Sequence, residues 1–470
     1  MVFSSITFLC LFFPIVYLVY LIVPTIKLKN VILIIASLVF YAWGEPIYVF
    51  LMIVSVFVNW IFGKGLVKFK QREKLILVLT VIFNIGLLTV FKYAGFLIEL
   101  LNLISPIQLP IPAIRLPIGI SFFTFQAMSY VIDVKRDNSQ VQPNYFNLLL
   151  YISFFPQLIA GPIVKYHDIS GQINDRKLNL DDTVAGLRRF LFGLSKKLLI
   201  SNCMATVVDS IYDTNISALS TSVAWIGAIA YLLQIYFDFS GYSDMAIGLS
   251  AMFGFKLLEN FNYPYYSLGI QDFWRRWHIS LSTWFKEYLY IPLGGNRKGK
   301  ARTYLNKLIV FTATGIWHGA NLTFLVWGLY NGALIIIEGL ASKPLKRLDK
   351  NVGFSVFHRL LTLFAVTVGF VIFRADTLGI AASYLKSMFM PAGALIDAIE
   401  YLTPYFLFVL VFAFVFSFPV LPVLKLKICK HQASLNVMQT CGFAVSVILL
   451  LLCIISLASD AYNPFIYFRF

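Results

Sequence analysis

Apolar residues run through this chain in blocks too long for the interior of a soluble domain, such as Val31–Phe40, Ala224–Phe237 and Val445–Leu457. A helix that crosses a bilayer needs about 20 mostly apolar residues. At 470 residues the chain has room for roughly ten or more such spans. Composition agrees: 59% of residues are hydrophobic and 13% charged, with a mean hydropathy of +0.80. Soluble domains sit near half apolar and a quarter charged. In lipid every backbone N–H and C=O must be satisfied within the segment, so runs of this length predict helices. The expected fold class is therefore an all-α polytopic membrane protein.

The formal net charge is +16, from 38 Lys and Arg against 22 Asp and Glu. Nucleic-acid binding would explain such an excess, but the basic residues are confined to short segments between apolar runs. That is the distribution of cytoplasmic loops under the positive-inside rule, and no nucleic acid is needed. The cysteines are Cys10, Cys203, Cys429, Cys441 and Cys453, with no C-x-x-C pair. They form neither a disulfide framework nor a zinc site, and no metal is implied. Ile6–Val23 lacks a basic flank and an A-x-A cleavage site, and is read as a first span rather than a signal peptide.

Lys27-Leu-Lys29 reads as a short basic loop. Gly44-Glu45-Pro46 divides the apolar stretch 31–63 into a thin hairpin, after which Lys64–Lys74 is basic again. Two crossings return the chain to the same face, so both basic segments are cytoplasmic and the N-terminus lies outside. Leu75–Phe91 is the next span. Four prolines in 105–117 predict an irregular connector. Pro156, Gly161 and Pro162 interrupt the apolar segment Phe154–Ile163, which is expected to be re-entrant or broken. Further spans are expected at Leu187–Val208, Val223–Phe237, 357–373, 403–421 and 440–457, leaving Asp460–Phe470 outside. The longest polar stretch, 256–307, is basic and aromatic, as an interfacial amphipathic segment would be. Residues 343–350 and 425–430 are basic too. No second soluble domain or internal repeat is visible, so 1–470 reads as a single membrane domain.

Leu308–Leu340 starts and ends at cytoplasmic lysines, Lys307 and Lys343, so it must enter the membrane and return. Gly315-Ile-Trp-His-Gly-Ala-Asn321 marks the turn. Ten helical residues from Leu308 rise about 15 Å, which would put His318 near the mid-plane. An ionisable residue at such depth is a functional candidate. Histidine both takes and gives a proton near neutral pH. Gly315 and Gly319 would leave room for a substrate beside the ring. The plain alternative is a histidine that serves as hydrogen-bonded glue between helices.

His278 lies in Asp272-Phe-Trp-Arg-Arg-Trp-His-Ile-Ser280. With Arg275 and Arg276 it could contact a phosphate-bearing donor, or the cluster could anchor an interfacial helix at headgroups. Asp238, Ser240 and Asp244 interrupt an apolar run. They could line a substrate path or cap a helix break at Gly241. Gly294–Lys300 starts like a phosphate-binding loop, but Ala301 stands where a hydroxyl should hold magnesium, so it reads as a basic loop. His167, His358 and His431 sit in or beside polar loops and are expected to be solvated.

The blocks Phe154–Pro162, Gln234–Ala246, Phe273–Leu281, Tyr290–Asn296, Trp317–Gly319 and Asn463–Phe470 resemble the membrane-bound O-acyltransferase superfamily, most closely its bacterial alginate O-acetyltransferase branch. The resemblance covers most of the chain. It implies a fold of roughly eleven transmembrane helices, with re-entrant and interfacial helices, around a central tunnel. It implies that His318 is the catalytic histidine and His278 the second characteristic one. Trp317, Asn321, Asp238, Ser240 and Asp244, with Arg275 and Arg276, would contact substrate. No bound cofactor is implied. Acetyl-coenzyme A, or an acyl-carrier protein, would be the donor on the cytoplasmic side of a bacterial inner membrane. The acetyl group would pass outward to a glycan, directly or through a secreted SGNH-type, serine-dependent acetyltransferase. Related branches serve peptidoglycan O-acetylation and the D-alanylation of teichoic acids. The expected chemistry has His318 as general base on an acceptor hydroxyl. A transporter or flippase, which also uses broken helices and mid-plane polar groups, is the rival class. A structural scaffold of a secretion complex would not need His318.

Overall fold

The computed structural model describes residues 1–390, 395–428, 432–459, 463, 465 and 466, and among these every regular element is a helix. Contacts divide the chain into two compact units, Met1–Phe190 with Tyr242–Leu258, and Leu191–Gly241 with Glu259–Phe470.

The first unit opens with the apolar helix α1 (Phe8–Ile22) and continues with α2 (Ile26–Ala42), α3 (Tyr48–Lys68) and α4 (Lys70–Ile104). The break at Gly44–Pro46 falls where expected. Lys27 and Lys29, however, lie in the first turn of α2 rather than in a loop, because the Thr25 hydroxyl accepts from Leu28 N at 3.3 Å and starts the helix there. Helix α4 also runs on past Phe91. Between α3 and α4, Asn59 and Asn84 are fully buried and exchange amide hydrogen bonds of 3.2 and 2.8 Å. Such a reciprocal pair joins helices where apolar contact provides no driving force. Residues 105–117 are irregular, as the prolines dictate. Helix α5 (Ile120–Arg136) follows, then α6 (Tyr145–Ser153), the four-residue α7 (Phe155–Leu158) and α8 (Tyr166–Asn174). Between α7 and α8 the chain is irregular and buried, so Phe154–Ile163 is a broken segment covered by protein. Arg176, beyond α8, is buried and donates to carbonyls at two helix ends, Ile173 O at 2.9 Å and Phe253 O at 3.2 Å.

Two long helices pass from one unit's residues to the other's: α9 (Leu180–Tyr212) and α10 (Thr221–Met252). Helix α10 continues through Gly241 without a break, which corrects the capping alternative. Gly241 permits close approach instead: a Cβ there would stand 2.8 Å from Gly193 O.

In the second unit α11 (Ile270–Arg276) and α12 (Ile279–Phe285) precede α13 (Gly299–His318) and α14 (Leu322–Leu340). Then come α15 (Ser342–Leu348), α16 (Val352–Arg374), α17 (Leu378–Phe389), α18 (Pro404–Phe416), α19 (Val420–Ile428) and α20 (Gln432–Ala458). The aromatic segment around α11 and α12 turns its largest rings into the protein. Trp274, Trp277, Trp284 and Phe285 are all at most 8% exposed, packed into the unit. Of the C-terminal tail, Ile466 is buried and its N–H reaches Asp238 at 2.8 Å, so the described part of the tail runs back into the unit rather than away from it.

Seven helices among the described residues are long and apolar enough to cross a membrane, and two shorter apolar helices, α1 and α18, accompany them. The expected figure of roughly eleven is not reproduced by length and composition. Helices such as α5 and α13 carry too many polar residues to register as apolar: α5 alone buries Ser121, Thr124, Gln126, Ser129 and Asp133.

Candidate active site

The hairpin α13–α14 builds the site. Its legs have 20 and 19 residues. Each is about 30 Å long, where a half-crossing hairpin needs only about ten residues a leg. The two axes approach closely because glycines face backbone: a Cβ on Gly315 would stand 2.3 Å from Phe324 O, and one on Gly328 2.4 Å from Phe311 O. Gly319 faces the Phe324 ring, 2.1 Å from where a Cβ would be. These glycines serve helix packing, and the expected room beside the His318 ring is not what they provide.

His318 is the last residue of α13. Its ring meets Trp317, Trp327 and Phe373 edge-to-face, with centroids 5.0, 5.2 and 5.1 Å away. Phe373 belongs to the last turn of the 23-residue α16, so His318 lies level with one end of a full-length helix rather than half-way along it. Helix α13 begins at Gly299, nine residues before the Leu308 from which the mid-plane expectation counts. Nδ1 is buried, while the residue as a whole keeps partial exposure.

Lys307, about half-way along α13, feels Glu338 and Arg275, and Glu338, near the opposite end of the hairpin, accepts from Gln271 N at 3.2 Å. Basic residues gather at this end: Lys300 and Arg302 begin α13, and Lys343, Lys346 and Arg347 sit on α15. In the preceding loop Gly294 and Gly295 adopt φ of 104° and 55°, and Asn306 holds the turn by donating to Gly295 O at 2.9 Å.

His278 is 1% exposed, at the junction of α11 and α12, outside the seven spans. Phe239 contacts it edge-on at 4.6 Å, and Trp317 lies at 6.3 Å. Burial pushes its imidazole down to about 3, so the ring is neutral at physiological pH. A buried neutral ring neither anchors at headgroups nor supplies charge to a phosphate. The two arginines expected to act with it are elsewhere engaged or outward: Arg275 is exposed, and Arg276 pairs with Asp272 at 3.1 Å.

Trp317 is buried beside both histidines. Asn321 is spent on structure: its Oδ1 caps α14 by accepting from Thr323 N at 3.0 Å, and its Nδ2 donates to Asp376 O at 2.7 Å. Asp238 is buried, with Lys197 Nζ at 2.6 Å. Asp244, in the first unit, is held by Arg189 at 2.8 Å. Ser240 is buried as well. His358 is not solvated but buried against Asp349 at 2.9 Å, and His167 pairs with Asp133 at 3.0 Å. His431 and Cys429 lie outside the described residues.

A family model for membrane-bound O-acyltransferases matches residues 47–373. The chain belongs to the membrane-bound O-acyltransferase family. Among curated relatives, a probable alginate O-acetylase AlgI of Pseudomonas syringae pv. tomato is 42% identical over 402 residues, covering 83% of this chain and 75% of that protein. A peptidoglycan O-acetyltransferase of Helicobacter pylori is 37% identical over 422 residues, 83% of this chain and 80% of that protein. A teichoic acid D-alanyltransferase of Bacillus subtilis is 27% identical over 273 residues, 54% of this chain and 68% of that protein. This multi-pass membrane protein is thus an O-acyltransferase, and the transporter class falls away.

Three partners escaped the sequence reading of this acyltransferase. Lys197 and Arg189 could have been suspected, because basic residues in an apolar helix need an acid and the next helix carries two. Asn260, which holds His278, gives no periodic or compositional signal.

Proposed function

We propose that this acyltransferase moves an acetyl group from a cytoplasmic thioester, acetyl-coenzyme A, to an acceptor hydroxyl for O-acetylation of an extracytoplasmic, alginate-like polysaccharide. The membrane is the bacterial inner membrane, and the hydroxyl belongs to the glycan or to a secreted serine-dependent acetyltransferase. The observation that carries the reading is the hairpin, with its basic residues at one end and His318 at the other. An anionic thioester donor suits the basic end. The names of the 42% identical relatives support acetyl and alginate over the D-alanyl and teichoic acid of the 27% identical one.

His318 takes the proton of the acceptor hydroxyl as that oxygen attacks the thioester carbonyl. The tetrahedral intermediate collapses, the C–S bond breaks, and the departing thiolate receives the proton from the imidazolium. Such general base catalysis contributes about 10²–10⁴-fold. The aromatic wall of Trp317, Trp327 and Phe373 keeps bulk water from competing with the acceptor. Peptidoglycan, named in the 37% identical relative, is the second acceptor. The test is the O-acetyl content of exported glycans in a host with the wild-type chain, with His318→Ala, and with neither. Acetylation of a uronate polymer only with the wild type is the expected result. Acetylation confined to peptidoglycan would shift the acceptor, and equal acetylation in all three would overturn the reading.

A further inference from the structure

His278 has an unusual backbone, at φ 45°, ψ 54°, in the left-handed region that a residue with a Cβ seldom occupies. Holding it there costs about 1–3 kcal/mol and requires surroundings that leave no alternative. Asn260 supplies them. It is fully buried, and its carbonyl accepts from Ile279 N at 2.9 Å. Its side-chain Oδ1 accepts from Ser280 N at 3.1 Å and from Ser280 Oγ at 2.8 Å, and lies 3.2 Å from His278 Nδ1. The chain is thus tied on the residue after His278 and on the next.

These bonds also decide the tautomer. A backbone N–H only donates, so the Asn260 atom facing Ser280 N is the oxygen and not the amide nitrogen. An oxygen acceptor in turn requires Nδ1 of His278 to carry the hydrogen. The lone pair is therefore on Nε2, which is buried and meets no hydrogen-bond partner among the described residues. An imidazole acceptor left unmatched in a protein interior calls for a use.

We propose that Asn260 is a positioning residue: by fixing the Nδ1–H tautomer and the strained backbone of His278, it presents Nε2 as a hydrogen-bond acceptor for an O–H or N–H of the substrate beside Trp317. The inference rests on the acyltransferase reading and goes beyond it by assigning a role to a residue outside the two histidine motifs. Catalytic hydrogen bonds often tighten only in the Michaelis complex, so the present burial of Nε2 is compatible with that use. Burial is the only cause lowering the ring's pKa. The packed elements carry few titratable groups: Glu259 precedes Asn260, His318 follows Trp317, and Asp238 beside Phe239 is paired with Lys197.

The test uses the full chain in lipid vesicles, with acetyl-coenzyme A as the probe donor. Solid-state ¹⁵N spectra of histidine-labelled protein, assigned by difference against His278→Gln, read the tautomer without any turnover. The wild type should show Nδ1 protonated and Nε2 bare. Asn260→Leu, which keeps the shape and removes the acceptor, should lose that signature and lower kcat at least tenfold with KM within twofold. Asn260→Asp keeps an acceptor and adds a charge. It should retain the tautomer and full rate at alkaline pH, then lose rate as pH falls through the raised His278 pKa. If Asn260→Leu misfolds, the Asp variant and the wild-type spectrum still decide. Nε2 protonated in the wild type, or a wild-type pH profile in Asn260→Asp, would overturn the proposal while leaving the acyltransferase reading intact. A wild type that turns over no thioester overturns that reading and this inference with it.

Discussion

Burial of a neutral imidazole at His278 links stability to pH. Its folded-state pKa is about 3 against an ordinary 6.5, so the unfolded chain binds the proton more readily. Stability from this group is complete above 6.5 and is lost as pH falls toward 3. A thermal-unfolding midpoint that declines on acidification, with the decline shallower in His278→Gln, is the expected outcome of a scanning-fluorimetry series. The Lys197–Asp238 pair makes a second prediction. Removing one member of a buried ion pair leaves the other uncompensated, at a cost of about 3–5 kcal/mol. Lys197→Met should therefore lower the unfolding midpoint markedly, and Lys197→Met with Asp238→Leu should recover much of the loss. His318 and His278 were legible as residue types, because an ionisable group inside an apolar run stands out. Their surroundings were not. Whether Arg276 reaches a substrate or Asp272, and whether Asn321 binds a ligand or caps α14, depends on contacts that spacing does not encode.

The hairpin α13–α14 is held at a short interaxial distance by its glycines. Gly315→Ala and Gly328→Ala each push a methyl group into the facing helix backbone, and overpacking of this kind costs about 1–3 kcal/mol. Both should lower the unfolding midpoint and reduce activity by displacing His318 from Trp327 and Phe373. Gly86→Ala on α4, where a Cβ would meet nothing within 4 Å, is the contrast. It should be neutral or slightly stabilising, since alanine is the better helix former. The turn around His318 was visible in the sequence, from two cytoplasmic lysines and an apolar stretch between them. The length of its first leg was not, because Lys300–Lys307 reads as a polar loop and folds as helix. Uninterrupted helix through Gly241 was missed for the converse reason: glycine and serine look like a break, and here they allow α9 to approach α10.

Across the whole molecule, the apolar runs and the basic segments between them were enough to indicate a helical membrane protein. The division into two units was not apparent, because both contain residues of α9 and α10, and no linker marks the boundary. The topology predicts opposite accessibility for two exposed positions in the second unit. In a background without native cysteines, Lys346→Cys should react with an impermeant maleimide only from the cytoplasmic side, and Asp376→Cys only from the outside. The same pattern at both positions would reject the orientation. The central claim is that His318 catalyses acyl transfer from a cytoplasmic thioester. Its most direct test supplies radiolabelled acetyl-coenzyme A outside cytoplasmic-face-out vesicles containing either the wild-type protein or folded His318→Ala, with a candidate acceptor enclosed. Loss of label from the thioester with the wild type alone is the predicted result. Equal loss from both proteins would contradict it.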